Sequence, residues 1–354
     1  MKIIHCADIH LGARLVSKFP KDISEERKSA LRTTFRNMVD YAKNNDVKVI
    51  ILSGDVFDSD KPAVKDKKYF YSIVKNNPDI DFLYLNGNHD KEGSYSVAGY
   101  ANLKTFGKDN FTSYTYADVV ISGIQTDENN CEGFYSKLAL DASKLNIVML
   151  HGDVSASRGK DLIKISDLRD KGIDYLALGH IHSHKQGKID DHGVWVFSGC
   201  LEPRGFDECG EKGFVLLDVT DKIQYHFIPF SQRTIHELKV DVTDAADLFE
   251  IERKVSDSAF AISKDDIIRV VLTGELPVDI EISESDIENA LGQYYYVNVK
   301  NKTTAKIDIE SYKKENSIIS EFIGRVEANT DYDSETKKEI ITAGVRLLLG
   351  KEAE

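Results

Sequence analysis

Val47-Lys48-Val49-Ile50-Ile51-Leu52-Ser53-Gly54-Asp55-Val56-Phe57-Asp58 is the stretch on which the fold turns. Val47–Ser53 is a β-branched, apolar run of strand length, and it breaks at once into Gly54 and two carboxylates three residues apart. A run this apolar needs cover on both faces, which places it inside a sheet. Its neighbours agree. Ser24–Lys43 upstream reads as a helix opened by a Ser-x-x-Arg that is only a fair cap, and Ala63–Lys75 downstream reads as a helix just after Pro62. Lys2–Ala7 and Asp81–Leu85 supply two more short apolar runs, so the chain begins βαβαβ. Later strands are expected at Val119–Gly123, Asn146–Leu150, Tyr175–Leu178, Val194–Phe197 and Gly213–Leu217, now with fewer helices between them. That change suggests a second sheet with antiparallel character, and an α/β sandwich of two sheets flanked by helices.

The texture changes near Phe230–Thr234. His236–Val240, Ile267–Thr273 and Tyr294–Val299 read as strands, with helices at Asp244–Val255 and Glu284–Leu291 between them, a second βαβαβ module. The remainder is helical. Ile318, Ile319, Phe322, Ile323 and Val326 make one apolar stripe, and Ile340, Ile341, Val345, Leu348 and Leu349 another. Such stripes more often pack on their own chain than on a partner helix, which is the sharper alternative. The expected organisation is a domain over 1–231, a small α/β domain over 232–307 and terminal helices over 308–354.

Composition sets limits. At 354 residues with 41% hydrophobic residues the chain has material for a large core and a second domain. No apolar run approaches the roughly 18 residues of a membrane span, and Met1–Gly12 has no signal-peptide pattern, so a cytoplasmic protein is expected. Cys6, Cys131, Cys200 and Cys209 are irregularly spaced without CxxC, which favours reduced thiols over a disulfide framework or zinc knuckle. The net charge is -13. Gln232–Glu354 holds 16 Lys+Arg against 26 Asp+Glu, a balance of -10, which leaves 30 against 33, or -3, for residues 1–231. A nearly neutral N-terminal part carrying bound cations can meet phosphate; the acidic tail cannot. Strong unaided DNA affinity is not expected.

Five motifs follow expected strands at their C-terminal ends: Asp8-Ile9-His10, Gly54-Asp55-Val56-Phe57-Asp58, Gly87-Asn88-His89-Asp90, His151-Gly152-Asp153 and Gly179-His180-Ile181-His182. That edge of an open α/β sheet is where ligand sites collect. Together they offer carboxylates, an amide oxygen and imidazoles, donors suited to Mn²⁺, Fe²⁺ or Zn²⁺, with no thiolate to force a structural zinc site. A carboxylate such as Asp55 has two oxygens and can bridge two cations about 3.5–4 Å apart, the spacing of two-metal phosphoryl chemistry. Each piece alone is weak: D-x-H is common by chance and G-D-x-x-D is commonly a turn. Their order and placement carry the reading. His5, His184, His192, His226 and His236 lack that support and read as structural or surface residues.

D-x-H, G-D-x-x-D, G-N-H-D, H and G-H-x-H in this order resemble the calcineurin-like metallophosphoesterase signature over about residues 1–217. The resemblance implies a four-layer α/β/β/α sandwich. It implies one metal held by Asp8, His10, Asp55 and His182, and a second by Asp55, Asn88, His151 and His180, with Asp55 the bridge. It also implies that His89 is a general acid or substrate-orienting group, for which imidazole suits by its ordinary pKa. Asp58 is the expected holder of His89; Asp90 competes, with a turn role as the blander reading. The chemistry implied is in-line attack of a metal-activated water on phosphorus.

Three features narrow the phosphoester. Ile4–Gly12 resembles the opening of SbcD and Mre-type nucleases. Ser198–Glu208 with Glu211-Lys212-Gly213-Phe214 resembles the segment after G-H-x-H in SbcD-like proteins, where Arg204 is a candidate for phosphate contact beside a plain turn role. The tail resembles that family's capping domain and ATPase-binding region in layout only. The family implies a Mn²⁺-dependent 3′-to-5′ exonuclease and single-strand endonuclease, dimeric, acting on DNA with an SbcC-type coiled-coil SMC-like ATPase. A small-molecule phosphodiesterase or phosphatase and a non-catalytic scaffold are the alternatives.

Overall fold

The computed structural model describes residues 1–15, 19–90, 99–243, 245–277, 280–306, 309–314 and 317–350. Two compact units divide between Ile235 and His236. In the first, a six-stranded sheet runs Ile223–Pro229, Gly213–Val219, Lys2–Cys6, Val47–Ser53, Asp81–Leu85, Leu103–Thr105. The last four are parallel, and the hairpin Gly213–Pro229 adds antiparallel on one edge. A second sheet runs Lys185–Lys188, Val194–Phe197, Tyr175–Gly179, Leu145–His151, Val119–Gly123, Thr112–Tyr116. Its four central strands are parallel and only its edges are antiparallel. The expected antiparallel character is therefore confined to edges. Its crossovers run through loops and short 3₁₀ turns, so the missing helices misrepresented the strand direction.

Alternation along the strands builds the layers. Ile3, Val49, Ile51 and Leu83 of the first sheet meet Ile147, Met149, Tyr175 and Ala177 of the second in a core between the sheets. Ile4, Ile50, Leu52 and Phe82 point the other way, onto Phe35, Met38 and Val39 of the helix Lys21–Asn44 and Phe70 and Val74 of the helix Val64–Asn76. On the outer face of the second sheet, Val148, Leu150, Leu176 and Leu178 are covered by Phe134, Tyr135 and Leu168. This is the layered α/β sandwich, its fourth layer made of loops and the 3₁₀ turns Phe134–Lys137 and Ile165–Asp167. The first helix starts at Lys21, a turn before the Ser-x-x-Arg, because Pro20 sets the entry and Ser24 donates back to the Leu15 and Phe19 carbonyls.

The second unit has a three-stranded sheet, Ile235–Asp241, Ile267–Thr273 and Tyr296–Asn301, the last two parallel. Its first helix is Leu248–Ala259, capped by the Asp247 carboxylate accepting from Glu250 N. The expected start at Asp244 lies outside the described residues. Val240, Ile251, Val255, Val270 and Ile287 form its core. The helices Ile318–Ala328 and Ser334–Leu348 pack on each other through Ile319, Ile323, Ile341 and Val345. Among the described residues no helix is long and apolar enough to cross a membrane, and the four cysteines are free thiols.

Candidate metal centre

All five motifs lie at the C-terminal ends of parallel strands: Lys2–Cys6, Val47–Ser53 and Asp81–Leu85 in one sheet, Leu145–His151 and Tyr175–Gly179 in the other. Backbone hydrogen bonds hold the loops together, from Asp8 N to Gly54 O, His10 N to Asp55 O and Leu11 N to Val56 O. The Asp8 carboxylate accepts from His180 N at 3.0 and 3.1 Å, tying one sheet's edge to the other's. Asp8, His10, Asp55 and His180 are non-glycine residues at positive φ, 52°, 50°, 51° and 105°. Strained backbone concentrated on these donors marks a site whose geometry the surrounding fold imposes. Gly87 lets the third loop approach: a Cβ there would lie 2.1 Å from Asp55 Oδ1.

The donor atoms gather on two sides of Asp55 Oδ2, with Asp8 within reach of both. His10 Nε2 lies 3.4 Å from His182 Nε2 and 3.8 Å from Asp55 Oδ2, with Asp8 grouped beside them. His151 Nε2 lies 3.6 Å from Asp55 Oδ2 and 3.0 Å from Asn88 Oδ1, which is 3.1 Å from His180 Nδ1. Neighbouring donors on one cation with bonds of about 2.1 Å stand about 3.0 Å apart at right angles and about 3.4 Å apart at tetrahedral angles. The separations of 3.0, 3.1 and 3.4 Å fit such ions, while the 3.6 and 3.8 Å to Asp55 Oδ2 correspond to wider angles at the metal. The far ring nitrogens are already engaged: His151 Nδ1 donates to Ser53 O at 2.8 Å, and His182 Nδ1 stands 2.8 Å from Glu208 Oε1 and 2.9 Å from Arg204 Nη2, with Nε2 of both rings among the other donors.

Electrostatics point the same way. Asp8 and Asp55 are each 1% exposed. Burial, and then the charge of Asp55, push the Asp8 carboxyl well above its ordinary value. Burial works against ionisation of Asp55 too, but His151, His10 and the His89 N–H outweigh it and pull that carboxyl down. Burial lowers His10 to about 4, keeping it a neutral donor, and lowers His180 as well. Two carboxyl groups buried at one centre form a site that gains from positive charge.

A family profile for calcineurin-like phosphoesterases matches residues 1–184. The chain belongs to that family. Its members hold a dinuclear metal centre and hydrolyse phosphoesters, and the residues gathered here are the candidate ligands. The metallophosphoesterase is 28% identical over 78% of its length to 72% of "Uncharacterized metallophosphoesterase YhaO" of Bacillus subtilis. It is also 26% identical to two proteins named "DNA double-strand break repair protein Mre11". The one from Sulfolobus acidocaldarius aligns over 89% of this chain and 85% of its own, that from Saccharolobus solfataricus over 92% and 91%.

Around the metallophosphoesterase centre the remaining candidates sort themselves. His89 is exposed at the rim, its N–H donating to Asp55 Oδ1 at 2.9 Å and its ring 5.2 Å from that of His10. Asp58, expected to hold His89, has no hydrogen bond to it among the described residues, although the two belong to one cluster with His10. Asp58 Oδ1 lies instead 3.0 Å from His10 Nδ1, off the line of a good hydrogen bond, and 3.1 Å from Arg204 Nη1. Asp90 does not reach His89 either; it accepts from Val56 N and Phe57 N at 2.7 and 2.8 Å and clamps the Asp55 loop, the turn role. Arg204 is at the site, but its guanidinium is engaged with Glu208 at 2.8 Å and Asp58, so the phosphate-contact reading loses its free donor fork. Glu208 carries no assignment from the sequence motifs. Its signal was the strand Val194–Phe197, parallel to Tyr175–Gly179, whose loop opens on the same edge. A cavity of about 570 Å³ runs from Asn88 past Gln125 to Lys160. Lys160 is paired with Glu128 there.

Proposed function

We propose that this metallophosphoesterase is a DNA nuclease of the SbcD/Mre type, dimeric, processing DNA ends together with an SbcC-type SMC-like ATPase. The carrying observation is the reach of the similarity. Alignment to a DNA double-strand break repair protein covers 92% of this chain and 91% of that relative, so it must extend into the unit that begins at His236. A likeness restricted to the phosphoesterase unit would be shared by any branch of the family.

Asp8, His10, Asp55 and His182 would hold one divalent cation, and Asp55, Asn88, His151 and His180 the other, Mn²⁺ being preferred, with Fe²⁺ or Zn²⁺ also matched to these donors. Bound there, the pair would activate water and neutralise charge on the phosphoryl oxygens. His89, at the exposed rim, is free to donate a ring proton to the departing 3′ or 5′ oxygen. Its N–H on Asp55 fixes where that ring sits. Asp90 keeps the Asp55 loop in shape, and Gly87 lets Asn88 come close enough to serve.

A second reading, hydrolysis of a small phosphodiester or nucleotide, is favoured by charge: the residues from Gln232 onward carry -10, and Lys160 in the cavity beside Asn88 is neutralised. The two separate in one assay. With Mn²⁺ present, turnover of labelled single-stranded and duplex DNA ends is compared with turnover of cyclic and mononucleotides. The nuclease reading expects the DNA substrates to dominate kcat/KM; preference for nucleotides with inert DNA, with and without the ATPase, sinks it.

A further inference from the structure

The chain of contacts behind His10 and His182 closes on a single side chain. His182 Nδ1 stands 2.8 Å from Glu208 Oε1 and 2.9 Å from Arg204 Nη2. Glu208 is 3% exposed and takes three donors from Arg204: Nε at 3.0 Å and Nη2 at 2.8 Å on Oε1, and the backbone N at 2.6 Å on Oε2. The opposite arm of the same guanidinium, Nη1, lies 3.1 Å from Asp58 Oδ1, whose other neighbour is His10 Nδ1 at 3.0 Å. The loop carrying Arg204 is itself anchored. Glu202 pairs with Arg27 at 2.7 Å, both 1% exposed, and accepts from Thr34 Oγ1, while Arg27 also donates to Pro203 O.

We propose that Arg204 and Glu208 are positioning residues that set the affinity of one cation position, the one formed by Asp8, His10, Asp55 and His182. The inference rests on the metal-centre reading above. Ligating imidazoles are held by a carboxylate on their far nitrogen. Here Glu208 lies against the far nitrogen of His182, Asp58 lies 3.0 Å from that of His10 without an aligned hydrogen bond, and both carboxylates contact Arg204. One planar guanidinium with donors on two edges holds both, and fixes the angle between His10 and His182, whose Nε2 atoms stand 3.4 Å apart. Lysine, a single point charge, cannot grip both carboxylates. The other position is supported independently, His151 by the Ser53 carbonyl, so the effect is confined to one ion of the two.

The test uses the full chain stripped of metal, as wild type, Arg204→Lys and Glu208→Gln, titrated with Mn²⁺ by calorimetry and analysed for metal per chain. Wild type is expected to take up two ions. Each variant should keep one with unchanged affinity and bind the other about 10–100-fold more weakly, with turnover restored at high Mn²⁺. Combined with His180→Ala, which removes a ligand of the other position, Arg204→Lys should leave no tightly held ion. A wild type that takes up no Mn²⁺ overturns the metal-centre reading itself. Two ions of wild-type affinity in both variants overturn the positioning role, as does equal weakening of both ions, or an unchanged metal isotherm with a raised KM for phosphodiester, which would return Arg204 to substrate contact. If Arg204→Lys fails to fold, the near-isosteric Glu208→Gln decides alone.

Discussion

Asp8, His10, Asp55 and His180 adopt left-handed backbone that costs of order 1–3 kcal/mol each for a residue with a Cβ, and each sits one to four residues past a strand end. The sequence exposes these positions well because a strand terminus fixes both where a side chain emerges and which edge it faces; all seven expected donors meet. His89→Gln should retain two metal ions and substrate affinity while turnover falls about 10²–10⁴-fold; metal loss in that variant, read by elemental analysis, would mean that His89 is a ligand. Gly87→Ala should do the reverse, since the new Cβ would lie 2.1 Å from Asp55 Oδ1 and 2.5 Å from Asp55 N. Metal uptake should drop below one ion per chain, and a variant that still binds two would show that the loop yields. Roles set by side-chain networks were less legible. Asp58 and Arg204 are 146 residues apart in sequence, and nothing local in either segment announces that they meet; an acid three residues after Asp55 looks equally suited to His89 or to His10.

Elements divide by how strongly burial patterns them. Val47–Ser53 and Asp81–Leu85 were legible to the residue because both faces are covered and all but Lys48 and Asp81 are buried. Lys185–Lys188, Lys-Gln-Gly-Lys, carries no apolar side chain and is a strand only because its backbone pairs with Val194–Phe197 at the sheet edge; no periodicity could reveal it. Ile223–Pro229 alternates half-buried and exposed residues on the opposite sheet's edge, beyond the range expected for the sheet. The terminal helices show the same rule inside one element. The stripes resolve into a buried set, Ile319, Ile323, Ile341 and Val345, and an exposed set that includes Ile318 at 70% and Leu348 at 42%, with Leu347, outside both stripes, exposed at 59%. Ile323→Ala should therefore destabilise the helical pair by about 2–5 kcal/mol, whereas Leu347→Ala should stay within about 0.5 kcal/mol. Urea unfolding followed by hydrogen exchange of the two helices measures both; equal effects would mean that the pair is not packed as described.

Across the whole molecule, charge and exposed apolar surface are both weighted to the C-terminal part: -10 of the -13 net charge, and the uncovered Ile318, Leu347, Leu348 and Leu349. An acidic region repels a polyanion but not a protein partner, so under the nuclease reading proposed above DNA engagement would need a basic surface supplied by another subunit. The terminal helices are the segment to remove, and packing dictates the cut. Ile309 and Tyr312 lie against the same cluster as Ile323 and Val345, so truncation at residue 316 would strand them; removal of 309–354 takes the cluster away whole. Val270, Ile251 and Ile287 form a separate core in the same unit, and every candidate metal ligand lies before residue 183. The truncated chain should hydrolyse bis(p-nitrophenyl) phosphate within about twofold of the full chain, since a loss of 1.4 kcal/mol in transition-state stabilisation would already be tenfold. It should no longer co-purify with a coexpressed SbcC-type ATPase, and DNA-end degradation should lose its ATP dependence with it. Retained co-purification would place the partner's contact elsewhere, on Phe249 or Phe260 of the small α/β module, exposed by 75% and 88%.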